Sequence, residues 1–323
     1  MRAMRAEGFR GYQDLKLADI PKPNPSDGRV LVKITAAGVT PLEHTILSGA
    51  YPRAKAPLVL GSEGAGVVED ANGSGFSAGT RVMFTGPYGV SEDGAYSEYL
   101  AVRKEHLCLI PGSIDDVSAA GIPVAYLTAH MALTLSGFQA GKTVLSPAIG
   151  GSVGNAVTQL ARAMGARHAM STTTSHAKAE QARTLGFDEV IDLSTEKLSE
   201  GVHRITAGYG SDVVIDAIGG DILSEALSTL AMGGNLTTLG YSAGRKSTID
   251  VTHLIWKRAS IKSFSLFAQP PEMWSTAWAS IFQLLDSRAI KPIVARTFAL
   301  ENAADALRYQ IESRPFGRIV LKI

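Results

Sequence analysis

The hydrophobic and polar positions divide the chain into two regions of different texture. From residue 2 to about residue 101, short apolar runs such as RVLVKITAAGV and TRVMFTG alternate with turns rich in glycine and proline, such as PKPNPSDG. Short strands separated by such turns are typical of a compact, mostly antiparallel unit. From about Ser118 the pattern becomes helical, beginning with AAGIPVAYLTAHMAL, and then alternates between strand and helix.

This second region carries apolar segments at strand and helix spacing in turn. The predicted strands are residues 143–146, 168–172, 189–191, 212–216, 235–239 and 260–264, and the predicted helices are 153–164, 177–185 and 223–230. Such alternation predicts an α/β fold in which a doubly wound parallel sheet is covered on both faces through right-handed crossovers.

The end of the chain leaves this pattern. An amphipathic stretch at 272–287 is expected to cover a face or an edge, and the strand-like tail 316–323 is expected to rejoin the first domain. We therefore assign residues 1–122 and 289–323 to the mostly antiparallel domain, and residues 123–288 to the doubly wound domain.

Composition limits the class of protein. The 323 residues agree with two domains at about 150 residues each. A net charge of +1 gives no general attraction to nucleic acid or to a membrane surface. Cys108 is the only cysteine, which excludes an intramolecular disulfide and a cysteine-rich zinc site. The sequence has neither the apolar core of a signal peptide nor an apolar run long enough to span a bilayer, so we expect a cytoplasmic protein.

The segment TVLSPAIGGSVGNAVTQLARAMG, residues 143–165, predicts a strand, a tight turn and a helix. Ala148, Gly151 and Gly154 supply small residues at a spacing of three in the turn. The pyrophosphate of a dinucleotide binds against free backbone N–H groups at a helix N-terminus, where larger side chains would obstruct its approach. The turn therefore predicts a dinucleotide site.

The end of the next strand indicates which dinucleotide. An NAD site usually has a carboxylate there, about twenty residues past the glycines, which accepts a hydrogen bond from the ribose 2′-hydroxyl. Residues 171–178 read STTTSHAK, and the first acid is Glu180. Hydroxyl groups and Lys178 would hold the 2′-phosphate of NADPH, which a carboxylate would repel. The segment is also a plausible helix cap with a solvated lysine, and the two interpretations are compatible.

Two later strands also end in small residues. Residues 217–220 read AIGG, and residues 239–242 read LGYS. Ligands of open α/β sheets bind in the crevice at the carboxyl ends of the strands. Ordinary turns would explain each segment separately, but not their recurrence at successive strand ends.

Metal and covalent chemistry are not favoured. A catalytic zinc needs three protein ligands, and the candidates Glu43, His44, Glu63, His106 and Cys108 form no spacing motif. The sequence also has no GxSxG elbow and no cysteine and histidine pairing that would indicate a covalent nucleophile.

Several segments, in this order, resemble the medium-chain dehydrogenase/reductase superfamily, and within it the zinc-independent quinone oxidoreductases of the zeta-crystallin type. They are AAGVTPLEHTILSGAYP, PLVLGSEGAGVV, GTRVMF, GAYSEYLAV, PVAYLTAHMAL, AIGGSVGNAVTQLARAMGA, LGFDEVID and GRIVLKI, and they extend over nearly the whole chain. The resemblance implies a Rossmann domain, a GroES-like catalytic domain, a nicotinamide cofactor and a homodimer.

The resemblance also implies roles for individual residues. Gly151, Ser152, Val153 and Gly154 would hold the pyrophosphate, with Ser152 where the family often has glycine. Thr174 and Lys178 match the contacts to the 2′-phosphate. The remaining positions match cofactor-binding segments near the nicotinamide or at the closing basic position: Thr128, Ala217, Gly219, Gly240, Tyr241, Ser242, Phe264, Ser265, Leu266 and Arg318.

Departures from the family pattern concern zinc and the substrate pocket. Zinc-dependent relatives have a cysteine after AAGV and a histidine in a GHE motif, whereas this chain has Thr40 and Ser62. Thr40 also replaces a usual asparagine, Thr45 stands where some members have tyrosine, and Leu193 stands where many have tyrosine beside the adenosine. Thr40, Thr45 and Tyr51 are the expected substrate pocket.

These observations predict an NADPH-dependent oxidoreductase that transfers a hydride, without a metal, to a quinone or an α,β-unsaturated carbonyl. Tyr51 is the candidate donor to the substrate oxygen, although it could equally be a packing aromatic. Two other enzyme activities stay open, an enoyl-thioester reductase and a zinc-free alcohol dehydrogenase. An NADPH-binding structural or regulatory protein with little turnover is the alternative from another class.

Overall fold

The computed structural model describes residues 1–26 and 28–323. Contacts between Cα atoms divide the chain into two compact units. Unit 1 comprises residues 1–124 and 269–323, and unit 2 comprises residues 125–268.

The first part of unit 1 consists mainly of short strands. Its elements are β1 (Arg2–Ala6), β2 (Leu15–Asp19), β3 (Arg29–Val39), α1 (Pro41–Leu47), β4 (Leu58–Val59), β5 (Glu63–Asp70), β6 (Arg81–Thr85), β7 (Tyr99–Arg103), β8 (Leu107–Leu109) and α2 (Asp116–Ala120), with short 3-10 helices at Tyr12–Asp14 and Lys104–His106.

Unit 2 alternates strands and helices. Its elements are α3 (Pro123–Leu135), β9 (Thr143–Ser146), α4 (Ser152–Ala163), β10 (His168–Thr173), α5 (His176–Thr184), β11 (Val190–Asp192), α6 (Leu198–Thr206), β12 (Ser211–Asp216), α7 (Gly220–Ser228), β13 (Leu230–Thr238), α8 (Val251–Lys257), β14 (Ser260–Ser263) and a 3-10 helix at Leu266–Ala268.

The chain then returns to unit 1. It forms α9 (Pro271–Asp286), β15 (Val294–Ala299), a 3-10 helix at Leu300–Asn302, α10 (Ala303–Ser313) and β16 (Arg318–Lys322).

The sheets of unit 1 are mostly antiparallel, as the sequence predicts. The larger sheet has the order β15-β16-β3-β5-β6-β8, with β7 also paired to β3, and only β15 and β16 run parallel. The smaller sheet has the order β2-β1-β4. The expected return of the tail is confirmed, because Ile319 in β16 pairs with Val39 in β3.

The sheet of unit 2 is the predicted doubly wound sheet. Its strands are parallel, in the order β11-β10-β9-β12-β13-β14. The central strands β9 and β12 bury Val144, Leu145, Val213 and Val214 completely, because helices cover both faces. The strand order reverses beside β9, so the glycine turn that follows β9 lies at the topological switch point where such sheets bind ligands.

Helix α9 groups with unit 1, whereas the sequence analysis placed residues 269–288 in the doubly wound domain. The helix contacts β8 and the 3-10 helix at 104–106. The ring of Trp274 lies 5.6 Å from the ring of His106, and the Ser113 hydroxyl donates to the Leu285 carbonyl at 3.0 Å. The amphipathic pattern predicts that a helix is partly covered, but it does not identify the covering element.

Within residues 1–26 and 28–323, none of the helices combines the length and the apolar character required to cross a bilayer.

Candidate functional site

The glycine turn of unit 2 leads directly from β9 into α4. Gly151 is the N-cap of α4, and the N–H of Asn155 donates to the Gly151 carbonyl at 3.0 Å as the first turn closes. The earlier N–H groups of a helix have no carbonyl partner within it, and they make its start electropositive. The first turn contains no acidic residue. This helix start therefore has the properties that a pyrophosphate requires.

Gly154 allows the helix to lie close to the turn. A Cβ atom at residue 154 would lie 2.4 Å from the Ala148 carbonyl oxygen and 2.5 Å from that of Pro147. Both are backbone atoms, so a side chain could not be accommodated without moving the turn. Ala148 itself has φ of 68°, a left-handed conformation that costs a residue with a side chain about 1–2 kcal/mol.

The start of α5 carries the residues expected to bind a 2′-phosphate. Ser175 is the N-cap by position, but its side chain makes no capping hydrogen bond. The Thr173 hydroxyl instead accepts from the Ser175 N–H at 3.3 Å. Thr174 is exposed, Lys178 is partly buried, and the first turn contains no acidic residue. The side chain of Ser175 therefore does not cap the N-terminus of α5.

An acidic residue that the local sequence pattern did not indicate, Asp192, lies beside this segment. β10 and β11 are parallel, and Asp192 pairs with Thr173 at the carboxyl edge of the sheet. The Asp192 carboxylate is 2.8 Å from Nδ1 of His176, the first residue of α5. Hydrogen bonds from Ser194, and then from His176, hold the pKa of Asp192 below its ordinary value. Aligning the ends of neighbouring parallel strands in the sequence could have revealed this aspartate.

Asp216 fixes the small-residue loop at the end of β12. Its buried carboxylate accepts from the N–H of Ile218 at 3.1 Å and of Gly219 at 3.0 Å, and from the Thr238 hydroxyl at 3.0 Å. Burial raises the pKa of Asp216, and these hydrogen bonds oppose the increase. The sequence pattern did not single out this residue, although it is the one charged side chain in the segment VVIDAIGG, residues 213–220.

The loops after β12 and β13 pack backbone against backbone. A Cβ atom at Gly240 would lie 2.0 Å from the Ala217 carbonyl oxygen, and Gly219 forms a β-bridge with Gly244. The structure therefore brings together the two small-residue segments that the sequence predicted at the sheet edge. Tyr241 and Ser242 are exposed beside them.

The other expected nicotinamide-side residues also lie in unit 2. Thr128 is buried in α3, and Phe264 and Leu266 are buried just after β14. The Phe264 N–H donates to the Thr238 carbonyl at 3.0 Å, which continues the pairing of β14 with β13. Ser265 follows in the same segment. Their expected contacts with a cofactor remain predictions.

In unit 1, the two positions of the missing zinc ligands are joined by a buried carboxylate. One Glu43 oxygen accepts from the Thr40 N–H at 2.7 Å and from its hydroxyl at 2.5 Å. The other accepts from the Ser62 N–H at 3.0 Å and from its hydroxyl at 2.9 Å. Burial raises the pKa of Glu43, whereas these four hydrogen bonds favour its ionised form.

The role of Glu43 could have been inferred from the sequence. Thr40-Pro41-Leu42-Glu43 fits the capping-box pattern, in which a threonine precedes a helix and a glutamate lies three residues later. The structure contains this box at the start of α1. The second contact, to Ser62, joins elements distant in sequence and could not have been read from the local pattern.

Arg318 is buried and forms an ion pair with Glu63. Glu63 also accepts from the N–H of Val124, in the first turn of α3, at 2.7 Å. Desolvation lowers the pKa of Arg318 to about 10. The carboxylate of Glu63 therefore balances the buried charge of Arg318 within unit 1. The cofactor contact that the resemblance implies for Arg318 stays a prediction.

The remaining expected pocket residues are Thr45 and Tyr51. The Thr45 hydroxyl donates to the Pro41 carbonyl at 3.1 Å within α1. Tyr51 is partly buried and packs against the hydrophobic core of unit 1. The packing interpretation of Tyr51 is thus supported by a contact, while its expected catalytic role stays untested.

A search of residues 1–26 and 28–323 finds no group of three or more histidine, cysteine, aspartate and glutamate side chains that could hold a metal ion.

A parallel sheet with a glycine turn at its switch point, joined to a separate antiparallel unit, defines a class of nucleotide-dependent oxidoreductases. Comparison with known proteins agrees. Residues 26–112 match the alcohol dehydrogenase GroES-like domain, and residues 152–283 match the zinc-binding dehydrogenase family. The chain belongs to the quinone oxidoreductase-like family of the medium-chain dehydrogenase/reductase superfamily, and the predicted resemblance and fold are confirmed.

Individual relatives can be aligned with almost the whole length of this protein. The chain is 31% identical over 313 residues to a human quinone oxidoreductase, and the alignment covers 95% of this chain and 92% of the relative. It is 32% identical over 321 residues to a 2-haloacrylate reductase from a Burkholderia species, covering 92% of each. A mycobacterial protein solved in complex with NADPH matches at 29% identity with a TM-score of 0.87, and each chain is fully covered. An alcohol dehydrogenase described as NAD-dependent matches similarly, at 28% identity and a TM-score of 0.89 over both full chains.

Proposed function

We propose that this oxidoreductase uses NADPH to transfer a hydride, without a metal, to a quinone or an α,β-unsaturated carbonyl. The observation that carries the cofactor assignment is the start of α5. It lacks a side-chain cap and an acidic first turn, and it places Thr174 and Lys178 at an electropositive helix end. A phosphate is stabilised by such a helix end and by a neighbouring ammonium group.

The residues of the glycine turn fit the rest of the dinucleotide. The N–H groups of Ser152, Val153 and Gly154 would bind the pyrophosphate, and the close approach at Gly154 keeps them near the end of β9. When bound, the nicotinamide supplies the hydride, and the task of the protein is to bind and orient it. Gly219 and Gly240 let the loops after β12 and β13 pack closely, backbone against backbone, in this part of the proposed site.

Two observations support chemistry without zinc. Thr40 and Ser62 occupy the positions of the cysteine and histidine ligands, and both hydroxyls bind Glu43. Hydroxyl side chains are poor zinc ligands compared with thiolate and imidazole. Metal analysis of the purified protein, with activity measured before and after chelation, tests this part. Stoichiometric zinc together with a loss of activity on chelation would contradict it.

The substrate class is inferred from the relatives. Quinones and 2-haloacrylates both contain a carbon–carbon double bond conjugated to an electron-withdrawing carbonyl or carboxyl group. Hydride addition to such an acceptor moves negative charge onto an oxygen, which a hydrogen-bond donor then stabilises. We propose Tyr51 as the donor.

A Tyr51→Phe variant keeps the aromatic packing and removes only the hydroxyl. If Tyr51 is the donor, turnover with an accepted quinone or enone falls about a hundredfold, within the range of proton-transfer catalysis. The NADPH dissociation constant should hardly change. Unchanged turnover would leave Tyr51 as a packing residue of the unit 1 core.

The cofactor and the reaction can be tested together. Stopped-flow or steady-state oxidation of NADPH and NADH should be followed with 1,4-naphthoquinone, an enone, crotonyl-CoA and a simple carbonyl. The proposal expects faster oxidation of NADPH than of NADH, with the quinone or the enone as the preferred acceptor. Preference for crotonyl-CoA would favour an enoyl-thioester reductase, and preference for the simple carbonyl would favour an alcohol dehydrogenase. NADPH binding without turnover would favour a structural or regulatory protein.

We also propose that the protein is a cytoplasmic homodimer. β14 is the edge strand of the unit 2 sheet, and its neighbour α8 exposes Val251, Ile255 and Trp256 by 55%, 68% and 73%. An edge strand beside exposed apolar side chains is a surface that a second copy can cover. Sedimentation analysis should give twice the mass of the chain, and a monomer at micromolar concentration would contradict the proposal.

A further inference from the structure

His176 and Asp192 form a polar pair at the adenosine end of the proposed cofactor site, and the proposed function assigns neither of them a role. His176 begins α5, directly after Thr174 and Ser175. Asp192 ends β11, opposite Thr173 at the end of β10. The Asp192 side chain is 5% exposed, whereas that of His176 is 67% exposed. The imidazole thus lies between a buried carboxylate and solvent.

The hydrogen bonds determine which atoms carry protons. One Asp192 oxygen accepts from the N–H and the hydroxyl of Ser194, at 3.0 and 2.6 Å. The other lies 2.8 Å from Nδ1 of His176. These hydrogen bonds favour the ionised carboxylate, which can only accept, so Nδ1 of His176 carries the hydrogen. Nε2 lies 3.9 Å from the Glu180 carboxylate, which also pairs with Arg183.

This arrangement bears on cofactor choice. A carboxylate at the edge of the sheet near the adenosine ribose is the group that selects NAD, because it accepts from a 2′-hydroxyl and repels a 2′-phosphate. Asp192 is such a carboxylate, one strand away from the usual position. In this structure one of its oxygens is bound by the His176 imidazole and the other by Ser194, so hydrogen-bond donors partly compensate its charge.

We propose that His176 is a specificity-determining residue, which covers Asp192 and so preserves the preference for the phosphorylated cofactor. The inference rests on the proposed use of NADPH. It predicts that Asp192 could act as the acid that selects NAD, but that its charge is offset by the hydrogen bond from His176. A single substitution that removes this hydrogen bond should therefore weaken NADPH binding.

The experiment measures nucleotide binding rather than turnover. The dissociation constants of NADPH and NADH are determined by fluorescence titration for wild type and for His176→Ala, which removes the donor to Asp192, for Asp192→Asn and for the double variant. His203→Ala is the matched control, because His203 is an exposed histidine on α6 of the same unit. Asparagine at 192 keeps an oxygen for the Ser194 contacts, and melting temperatures verify that each variant is folded.

His176→Ala should weaken NADPH binding about fivefold to tenfold, the effect of one uncompensated charge near a phosphate. NADH binding should change less than NADPH binding or become tighter. Asp192→Asn in the His176→Ala background should recover most of the lost NADPH affinity, since the repelling charge is removed. A double-mutant cycle should then give a clear coupling between residues 176 and 192 for NADPH binding, and only a small coupling for NADH binding.

Two results would refute different claims. If wild type prefers NADPH and His176→Ala keeps that preference, or weakens both nucleotides equally, the role of His176 is wrong and the proposed cofactor stands. If wild type has no preference for NADPH, the proposed cofactor itself is wrong, and the inference falls with it.

Discussion

Replacement of Gly154 by alanine tests the geometry of the glycine turn. In the interior of most helices this substitution raises the free energy of unfolding by about 1 kcal/mol, because alanine has a higher helix propensity than glycine. Here the new Cβ atom would lie 2.4 Å from the Ala148 oxygen and 2.5 Å from the Pro147 oxygen. Overpacking of this kind costs about 1–3 kcal/mol. The two effects together should lower the free energy of unfolding by about 0–2 kcal/mol. This change is opposite in sign to the one that the same substitution usually causes in a helix.

The clash should also affect nucleotide binding. To relieve it, the start of α4 must move away from the end of β9, and the N–H groups of Ser152 and Val153 move with it. Hydrogen bonds to charged groups contribute about 1.5–3 kcal/mol each, so the loss of one weakens NADPH binding by about tenfold or more. Differential scanning fluorimetry of the nucleotide-free protein measures the stability, and fluorescence titration measures the affinity.

Gly151→Ala is the control, in the same turn. Its Cβ atom would lie 3.2 Å from the Ala148 oxygen, a contact that a small shift relieves, and its φ of −80° is suitable for alanine. The nucleotide-free Tm of Gly151→Ala should therefore stay close to that of wild type. Weaker NADPH binding in this variant would mean that the nucleotide approaches residue 151. A raised Tm and unchanged NADPH affinity in Gly154→Ala would refute the reasoning about the turn.

Three further predictions concern buried groups of unit 1. Arg318→Met leaves Glu63 unpaired and should lower the free energy of unfolding by about 3–5 kcal/mol, with part of it restored by adding Glu63→Gln; denaturant unfolding measures both, and an unchanged midpoint would contradict it. Because burial raises the pKa of Glu43, its contribution to stability is full below the unfolded value of 4.5 and is lost as pH rises through the higher folded value. Glu43→Gln should therefore flatten the fall of Tm with rising pH just above 4.5, and a parallel profile would count against this. Burial raises the pKa of Cys108 to about 12, so its thiol should react with a thiol reagent at pH 8 only after unfolding in denaturant; rapid labelling of the native protein would show that the site is open.

The architecture of unit 2 could be predicted because its information is local. The strand at 143–146 is found at the predicted residues, and the next strand, predicted at 168–172, extends by one residue to Thr173. Apolar runs that are buried on both faces, separated by helical spacing, determine a parallel sheet almost without knowledge of long-range contacts. The helices α6 and α8 were not predicted. α6 carries Leu198, Val202 and Ile205 at helical spacing, so its amphipathic pattern was available in the sequence and was missed. α8 is only seven residues long and gives too short a pattern to recognise.

The polar network of the candidate site was only partly predictable. The hydroxyl-rich start of α5 is contiguous in sequence and could be recognised. The position of Asp192 beside α5 could be approached by aligning the ends of neighbouring predicted strands. The pairs Glu43 with Ser62 and Arg318 with Glu63 depend on strand register and on how elements pack. A one-residue shift in register turns a side chain to the other face of a sheet, so these pairs could not be read from the sequence.

Asp216 has a consequence for the thermodynamics of nucleotide binding. Its hydrogen bonds to Ile218, Gly219 and Thr238 hold a glycine-containing loop in one conformation through contacts within the chain itself. Ordering a residue of flexible backbone costs about 1–2 kcal/mol at room temperature. In this protein contacts within the chain order the loop during folding, so binding of a nucleotide at the proposed site would not have to order it again. Asp216 would thus link a cost of folding to a gain in affinity without touching the ligand itself.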